Sequence, residues 1–314
     1  MSRLGQRLTD AGYALGWALV KRLPEAAALR LFRIVGDRVW ARRGPAIQQL
    51  ERNLRRVIGP EPSETELRAL SKQAMRSYCR YWCETFRLPV WSHERVVGSV
   101  RTVGEHHFRA ALASGRGAIV ALPHMANWDH AGAWAVLTGA PLTTVAERLR
   151  PESLFERFLD YRRTLGMEVL PLGGDDVFPV LAKRLRAGRL VCLVADRDLS
   201  ASGIPVELFG EPAKCPPGPA VLAVQTGAAL LAADLWYEPA GLVIRFHPEI
   251  PVPAAGRLRE KVIEMTRQLA KIYERGIAEH PEDWHMLQRF WPADRPVPTG
   301  AAAPPVAGSP EPTR

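Results

Sequence analysis

At 314 residues, with 47% hydrophobic and 24% charged side chains, the chain has the make-up of a soluble globular protein able to bury a substantial core. Its formal charge of +9 and pI of about 9.8 leave two readings open: an acidic partner such as nucleic acid, anionic headgroups or a phosphorylated substrate, or simply a solvated basic surface. The four cysteines, Cys79, Cys83, Cys192 and Cys215, form no CxxC pair, which argues against a disulfide framework or a zinc finger and favours a reducing compartment.

The first apolar stretch, Ala11–Val20, lies between Arg7 and Lys21 and falls short of the ~20 residues a membrane-spanning helix needs. It also has the outline of a signal-peptide core, with Ala26-Ala27-Ala28 as a poor cleavage region, but Asp10 interrupts the leader and helical patterning continues past it. Residues 8–43 read as two helices divided at Pro24. Their bulky groups (Tyr13, Trp17, Leu19, Leu31, Phe32, Ile34, Trp40) alternate with arginines (Arg22, Arg30, Arg33, Arg38, Arg42, Arg43). The mixture suits an amphipathic surface helix whose aromatics sink below anionic headgroups, or a helical layer packed on the core with its arginines in water. Further helices are expected at 46–58 and 63–87, the second opened by Ser63-Glu64-Thr65-Glu66 at capping-box spacing.

From about residue 100, short apolar runs alternate with amphipathic helices, the pattern of a mostly parallel sheet flanked by helices. The expected strands are 117–122, 142–146, 167–171, 189–195, 228–236 and 242–247. The expected helices fall near 105–114, 129–138, 151–165, 175–187, 217–227 and 256–279. The fold class is therefore α/β: a helical region over 1–99, a core over 100–291, and a low-complexity tail over 292–314 expected to stay disordered.

Several strands end in polar groups: His124, Glu147, Gly173-Gly174 and Asp196-Arg197-Asp198. Ligands of open α/β sheets collect at that edge. In Gly117-Ala-Ile-Val-Ala-Leu-Pro-His124-Met-Ala-Asn-Trp-Asp129-His130, a buried strand stops at Pro123, and Asn127 or Asp129 can cap the next helix. A histidine with a carboxylate five residues on can act as a general base, or be a satisfied histidine beside a capping acid. No G-x-S-x-G elbow is present and no cysteine stands beside a histidine, so the expected task is activating a substrate hydroxyl. A metal site from His124, Asp129 and His130 lacks HExxH spacing. No helix-turn-helix, RRM or finger signature points to nucleic acid.

The turn resembles the His-x4-Asp/Glu signature of glycerolipid-type acyltransferases, in the branch containing lipid A late acyltransferases and phosphatidylinositol mannoside acyltransferases. Over residues 8–291 the resemblance is carried by Leu-Pro-His124-Met-Ala-Asn-Trp-Asp129, Thr-Val-Ala-Glu147-Arg148-Leu-Arg-Pro-Glu-Ser, Tyr161-Arg162-Arg163, Gly166-Met-Glu-Val-Leu-Pro, Asp196-Arg197-Asp198, Phe209-Gly210-Glu211-Pro212 and Asp283-Trp284-His285-Met286-Leu287-Gln288. It implies His124 as general base with Asp129 as its orienting partner. Asp196 would support the histidine, in an Asp-Arg-Asp run where the mannoside branch has Glu-Arg-Asp. At the substrates it implies Glu147, Arg162, Arg197, Trp128 and Asn127, with Glu147 alternatively a support of His124 and Trp128 also a candidate wall for an acyl channel. It further implies acyl-CoA as co-substrate with no cofactor or metal, palmitoyl as the acyl group, a membrane glycolipid acceptor, and a peripheral site on the cytoplasmic face of the plasma membrane. Other acceptors, or a non-catalytic lipid-binding protein, are the alternatives.

Overall fold

The computed structural model describes residues 16–17, 19–59, 61–147, 152–173, 176–198, 200 and 202–294. Tyr13, Arg148, Gly174 and the tail beyond Asp294 therefore lie outside the described residues. After a helical stretch that includes residues 19–22 come three long helices, α1 (Glu25–Ala41), α2 (Pro45–Ile58) and α3 (Glu64–Arg87), followed by the short α4 (His93–Gly98). The expected capping box is present on α3, with Ser63 and Glu66 each bonding the other's backbone N–H. The inner face of α1 packs on α3: Gly36 lies close against Cys79, and the Trp40 indole donates to Ser71 Oγ at 2.9 Å. Trp17 likewise turns inward, its indole N–H donating to the Phe86 carbonyl at 3.0 Å. Trp17 and Trp40 thus belong to the core rather than to a headgroup layer. The exposed apolar groups of α1 are Leu31, Ile34, Val35 and Val39, interspersed with exposed Arg30, Arg33 and Arg38.

The α/β layer contains β1 (Val100–Val103), α5 (Glu105–Ala113), β2 (Ala118–Leu122), α6 (Trp128–Leu137), β3 (Leu142–Ala146), α7 (Glu152–Thr164), β4 (Glu168–Pro171), α8 (Val177–Arg186) and β5 (Leu190–Val194). Next come β6 (Ile204–Leu208), β7 (Glu211–Cys215), α9 (Gly218–Thr226), β8 (Ala229–Glu238), β9 (Gly241–Phe246) and α10 (Leu258–Glu279). Seven strands form one sheet in the order β1-β9-β8-β2-β5-β3-β4, and every neighbouring pair is parallel except β8–β9. All five residues of β2 are buried, as a central parallel strand covered on both faces requires. Of the two strands beside it, β5 ends level with it, Leu122 pairing with Val194, so His124 and Asp196 emerge side by side, while β8 runs on past that edge.

The short α4 and the edge strand β1 are not among the elements expected from the sequence, and two further elements depart from its reading. The stretch between β5 and α9 forms a separate antiparallel hairpin, β6–β7, around Phe209 and Gly210, both at positive φ (53° and 74°). Tight hairpin turns require that backbone shape, but a phenylalanine does not advertise it. The tail is also held at its start: Pro292–Asp294 makes a 3-10 turn, and Asp294 pairs with Arg56 at 2.9 Å and accepts from Gln49. Among the described residues no helix is long and apolar enough to cross a membrane.

Candidate active site

The loop between β2 and α6 is short and strained. Met125 N–H closes back on the Pro123 carbonyl at 2.8 Å, and Ala126 adopts a left-handed backbone (φ 44°) that costs an L-residue on the order of 1 kcal/mol. Asn127 is fully buried and caps α6: its Oδ1 accepts from His130 N–H at 3.0 Å while Nδ2 donates to Glu84 at 3.0 Å. Asn127, expected at the substrate, is held at both ends of its side chain, by the first turn of α6 and by Glu84 of α3.

His124 leaves this loop with about a third of its side chain exposed. Its Nδ1 lies 2.5 Å from Oδ1 of Asp196, and its backbone N–H donates to Oδ2 of the same carboxylate at 3.1 Å. Burial pushes the Asp196 carboxyl up, but His124 and the donors from Trp284 and the His124 backbone outweigh it and hold the carboxyl below its ordinary range. An ionised Asp196 makes Nδ1 the protonated nitrogen of the ring, so the lone pair belongs to Nε2 on the ring's far side. That tautomer is the one a general base needs.

Asp129 is not the partner of His124. Being second in α6, it points toward α3 and α7, where it accepts from Arg162 Nε at 2.6 Å and from the Tyr81 hydroxyl at 3.2 Å. The Asp129 carboxylate keeps the buried Arg162 guanidinium more firmly charged than usual in spite of desolvation. Arg162 is thereby committed to Asp129, not left as an independent anion-binding group. Glu147 stands exposed at the end of β3, and among the described residues no hydrogen bond joins it to His124. Arg197 is half-buried and donates to the Gln288 side chain. His130 is buried, with Nε2 2.9 Å from the Val96 carbonyl, so it turns away from His124.

Trp128 joins the base to a cavity. Its ring meets His124 edge-on at 5.6 Å between centroids and lies over Tyr81 at 4.3 Å. It also lines an apolar cavity between α6 and one face of the sheet. That face supplies alternate residues, as a pleated strand must: Val120 and Leu122, Leu142 and Thr144, Cys192 and Val194, Ala233 and Leu235, Ile244 and Phe246. Facing them, α6 presents Ala131, Gly132 and Ala135, with the Met167 side chain packed close against Gly132. Phe108 and Phe246, stacked at 4.6 Å, also line it, and Asp129 and Arg162 are its charged members.

Sequence reasoning gave no role to the stretch 283–288, which the structure lays beside the His124 loop. The His285 N–H donates to the His124 carbonyl at 2.8 Å, Ala126 N–H donates to the Asp283 carbonyl at 2.9 Å, and the Trp284 indole donates to Asp196 at 3.0 Å. The Asp283-Trp284-His285 motif was visible, but its contacts lie more than eighty residues away and carry no local signal.

The sequence model of the bacterial lipid A biosynthesis acyltransferases matches residues 3–292. The chain belongs to that family. It is 47% identical over 293 residues to the phosphatidylinositol mannoside acyltransferase of Mycolicibacterium smegmatis, covering 93% of this chain and 94% of that protein. To the protein of the same name from Mycobacterium tuberculosis it is 46% identical over 297 residues, 93% of this chain and 92% of the other. Family membership makes acyl transfer the chemistry of this chain.

Proposed function

We propose that this chain transfers a palmitoyl or similar long acyl group from acyl-CoA to a sugar hydroxyl of a phosphatidylinositol mannoside, directly and without an acyl-enzyme. The observation that carries this reading is the shared residue Trp128: its ring meets that of His124 and also lines a cavity walled almost wholly by hydrocarbon, in a family of acyltransferases. In this mechanism Nε2 of His124 takes the proton of the acceptor hydroxyl as its oxygen attacks the thioester carbonyl. The tetrahedral oxyanion collapses, the carbon–sulfur bond breaks, and the imidazolium returns the proton to the CoA thiolate. Asp196 holds the tautomer and balances the transient imidazolium. The acyl chain occupies the cavity under α6, and the Asp129–Arg162 pair fixes the first turn of that helix against α3 and α7.

The names of the two mycobacterial relatives support a mannosylated phosphatidylinositol as acceptor. The helical region before Val100 docks on the cytoplasmic membrane surface through the exposed Leu31, Ile34, Val35 and Val39 of α1, with its arginines at anionic headgroups. Incubating the full chain with labelled palmitoyl-CoA and a panel of glycolipid and lysophospholipid acceptors tests the reading. Labelled phosphatidylinositol mannoside is the expected product; product on lysophospholipid alone, or on nothing, overturns it.

A further inference from the structure

A carboxylate held only by the histidine it serves cannot set that histidine's position. Asp196 is fully buried, and two of the hydrogen bonds to its carboxylate come from His124 itself, through Nδ1 and the backbone N–H. Among the described residues the remaining donor is the indole N–H of Trp284, 3.0 Å from Oδ2. Trp284 is completely buried and pairs with Met125 across an isolated antiparallel bridge, so the same residue grips the acid with its side chain and the base's loop with its backbone. The far side of this strap is anchored on α2. Buried Asn53 donates from Nδ2 to the Met286 carbonyl at 2.8 Å and to the Gln288 carbonyl at 2.9 Å, while its Oδ1 accepts from Gln49.

We propose that Trp284 is a positioning residue for the His124–Asp196 pair: its indole N–H fixes the rotation of the carboxylate, so that Oδ1 stays on His124 Nδ1 while Oδ2 is satisfied from the strap. The inference deepens the reading of His124 as general base and rests on it. A donor to an ionised acceptor is among the stronger hydrogen bonds and its direction is restrictive, so losing it frees the carboxylate to turn. The positive end of the indole dipole also draws charge away from the imidazole side. Without it, Asp196 favours the imidazolium more, and His124 stays protonated to higher pH.

Trp284→Phe in the full chain should lower kcat for acyl transfer about tenfold, leave KM for palmitoyl-CoA unchanged, and move the acid limb of kcat upward in pH. Trp291→Phe is the matched control for packing: Trp291 is equally buried and meets the Trp284 ring edge-on at 6.0 Å, but its indole donates to the Leu208 carbonyl at 3.4 Å and not to the pair. It should keep kcat within about twofold and hold the same acid limb. Should Trp284→Phe fail to fold, β-(3-benzothienyl)alanine at position 284 keeps the bicyclic shape and removes only the N–H. The proton resonance of His124 Nδ1 adds a readout independent of turnover, expected to shift in the 284 variants and not in Trp291→Phe. Wild-type kcat, pH limb and resonance in the 284 variants overturn the proposal. So does an equal loss of kcat at 284 and 291 with no movement of the limb. Failure of the base reading looks different: His124→Ala would then keep full transfer, whatever Trp284→Phe does to the resonance.

Discussion

Among the described residues, two histidine–aspartate pairs have nearly the same local geometry. In one, His124 Nδ1 meets Asp196 at 2.5 Å; in the other, His247 Nε2 meets Asp234 at 2.6 Å. Both carboxylates are buried, and both histidines keep part of the ring toward solvent, about a third for His124 and about a sixth for His247. Their surroundings differ in every respect that bears on chemistry. Asp196 has donors on both oxygens, and its histidine adjoins the cavity through Trp128. Asp234 receives His247 on Oδ2, has Arg245 3.8 Å away, and among the described residues has no hydrogen-bond partner on Oδ1. It faces Gly276 of α10, on the side of the sheet away from the cavity. A histidine bonded to a buried aspartate is therefore no active site by itself; the orientation of the carboxylate and the space beside the ring are what make His124 the candidate and not His247.

Removing each histidine breaks the comparison most sharply. His124→Ala should cost about a thousandfold in kcat by loss of the base, whereas His247→Ala should leave transfer within about twofold. The carboxylates follow in the same order. Asp196→Asn presents the wrong group to Nδ1 and should cost about a hundredfold, while Asp234→Asn should change the melting temperature and not the rate. Steady-state assays with palmitoyl-CoA give both numbers; equal losses at the two sites would make the distinction drawn from their surroundings wrong.

A smaller effect probes the packing of the second pair. A Cβ added at Gly276 would lie 2.4 Å from Asp234 Oδ1, and neither the helix backbone nor the short buried side chain has room to yield. Gly276→Ala should thus destabilise by about 1–2 kcal/mol after the helix-propensity gain, read as a lower urea midpoint, with the transfer rate per folded molecule retained. A fall in rate without a fall in stability would tie the second pair to catalysis.

How much of this was legible in the sequence depends on distance along the chain. The strand of β2, its stop at Pro123 and the start of α6 are local facts, and so is the capping box on α3. Asp129 looked like the partner of His124 because five residues separate them, but a residue in the first turn of α6 points where the helix turns it, toward Tyr81 and Arg162. Asp196 is 72 residues from His124, and only parallel pairing of β2 with β5 brings them level. Residue pattern shows that both lie at strand ends; it does not give strand order. The aromatics of the first helices were ambiguous for a related reason, since a ring at helical spacing suits a core or a headgroup layer equally until its partners, here Phe86 and Ser71, are known.

The smallest expected effect tests how dry the strap beside the first pair is. His285 and Asp283 both bond Ser77 Oγ, and burial moves them in opposite directions. Desolvation, with a smaller contribution from His124, pulls His285 down to about 3, whereas desolvation pushes Asp283 up to about 6. The unfolded chain protonates a histidine near pH 6.5, so the contribution of His285 is whole above that value and is lost as pH falls toward 3. Asp283 acts the other way: its folded form takes a proton near pH 6 and its unfolded form near 4, so its contribution is whole below about 4 and is lost as pH rises through 6. Between pH 6 and 4 the two oppose each other, and below 4 only the loss from His285 continues. His285→Gln removes one side of this balance. The variant should be less stable than wild type at pH 7, yet gain ground on it with each step of acidification to pH 4, as urea unfolding at pH 7, 5.5 and 4 would show. A constant difference across that range would mean that His285 is hydrated in solution and that the strap beside Asp196 is looser than its hydrogen bonds imply.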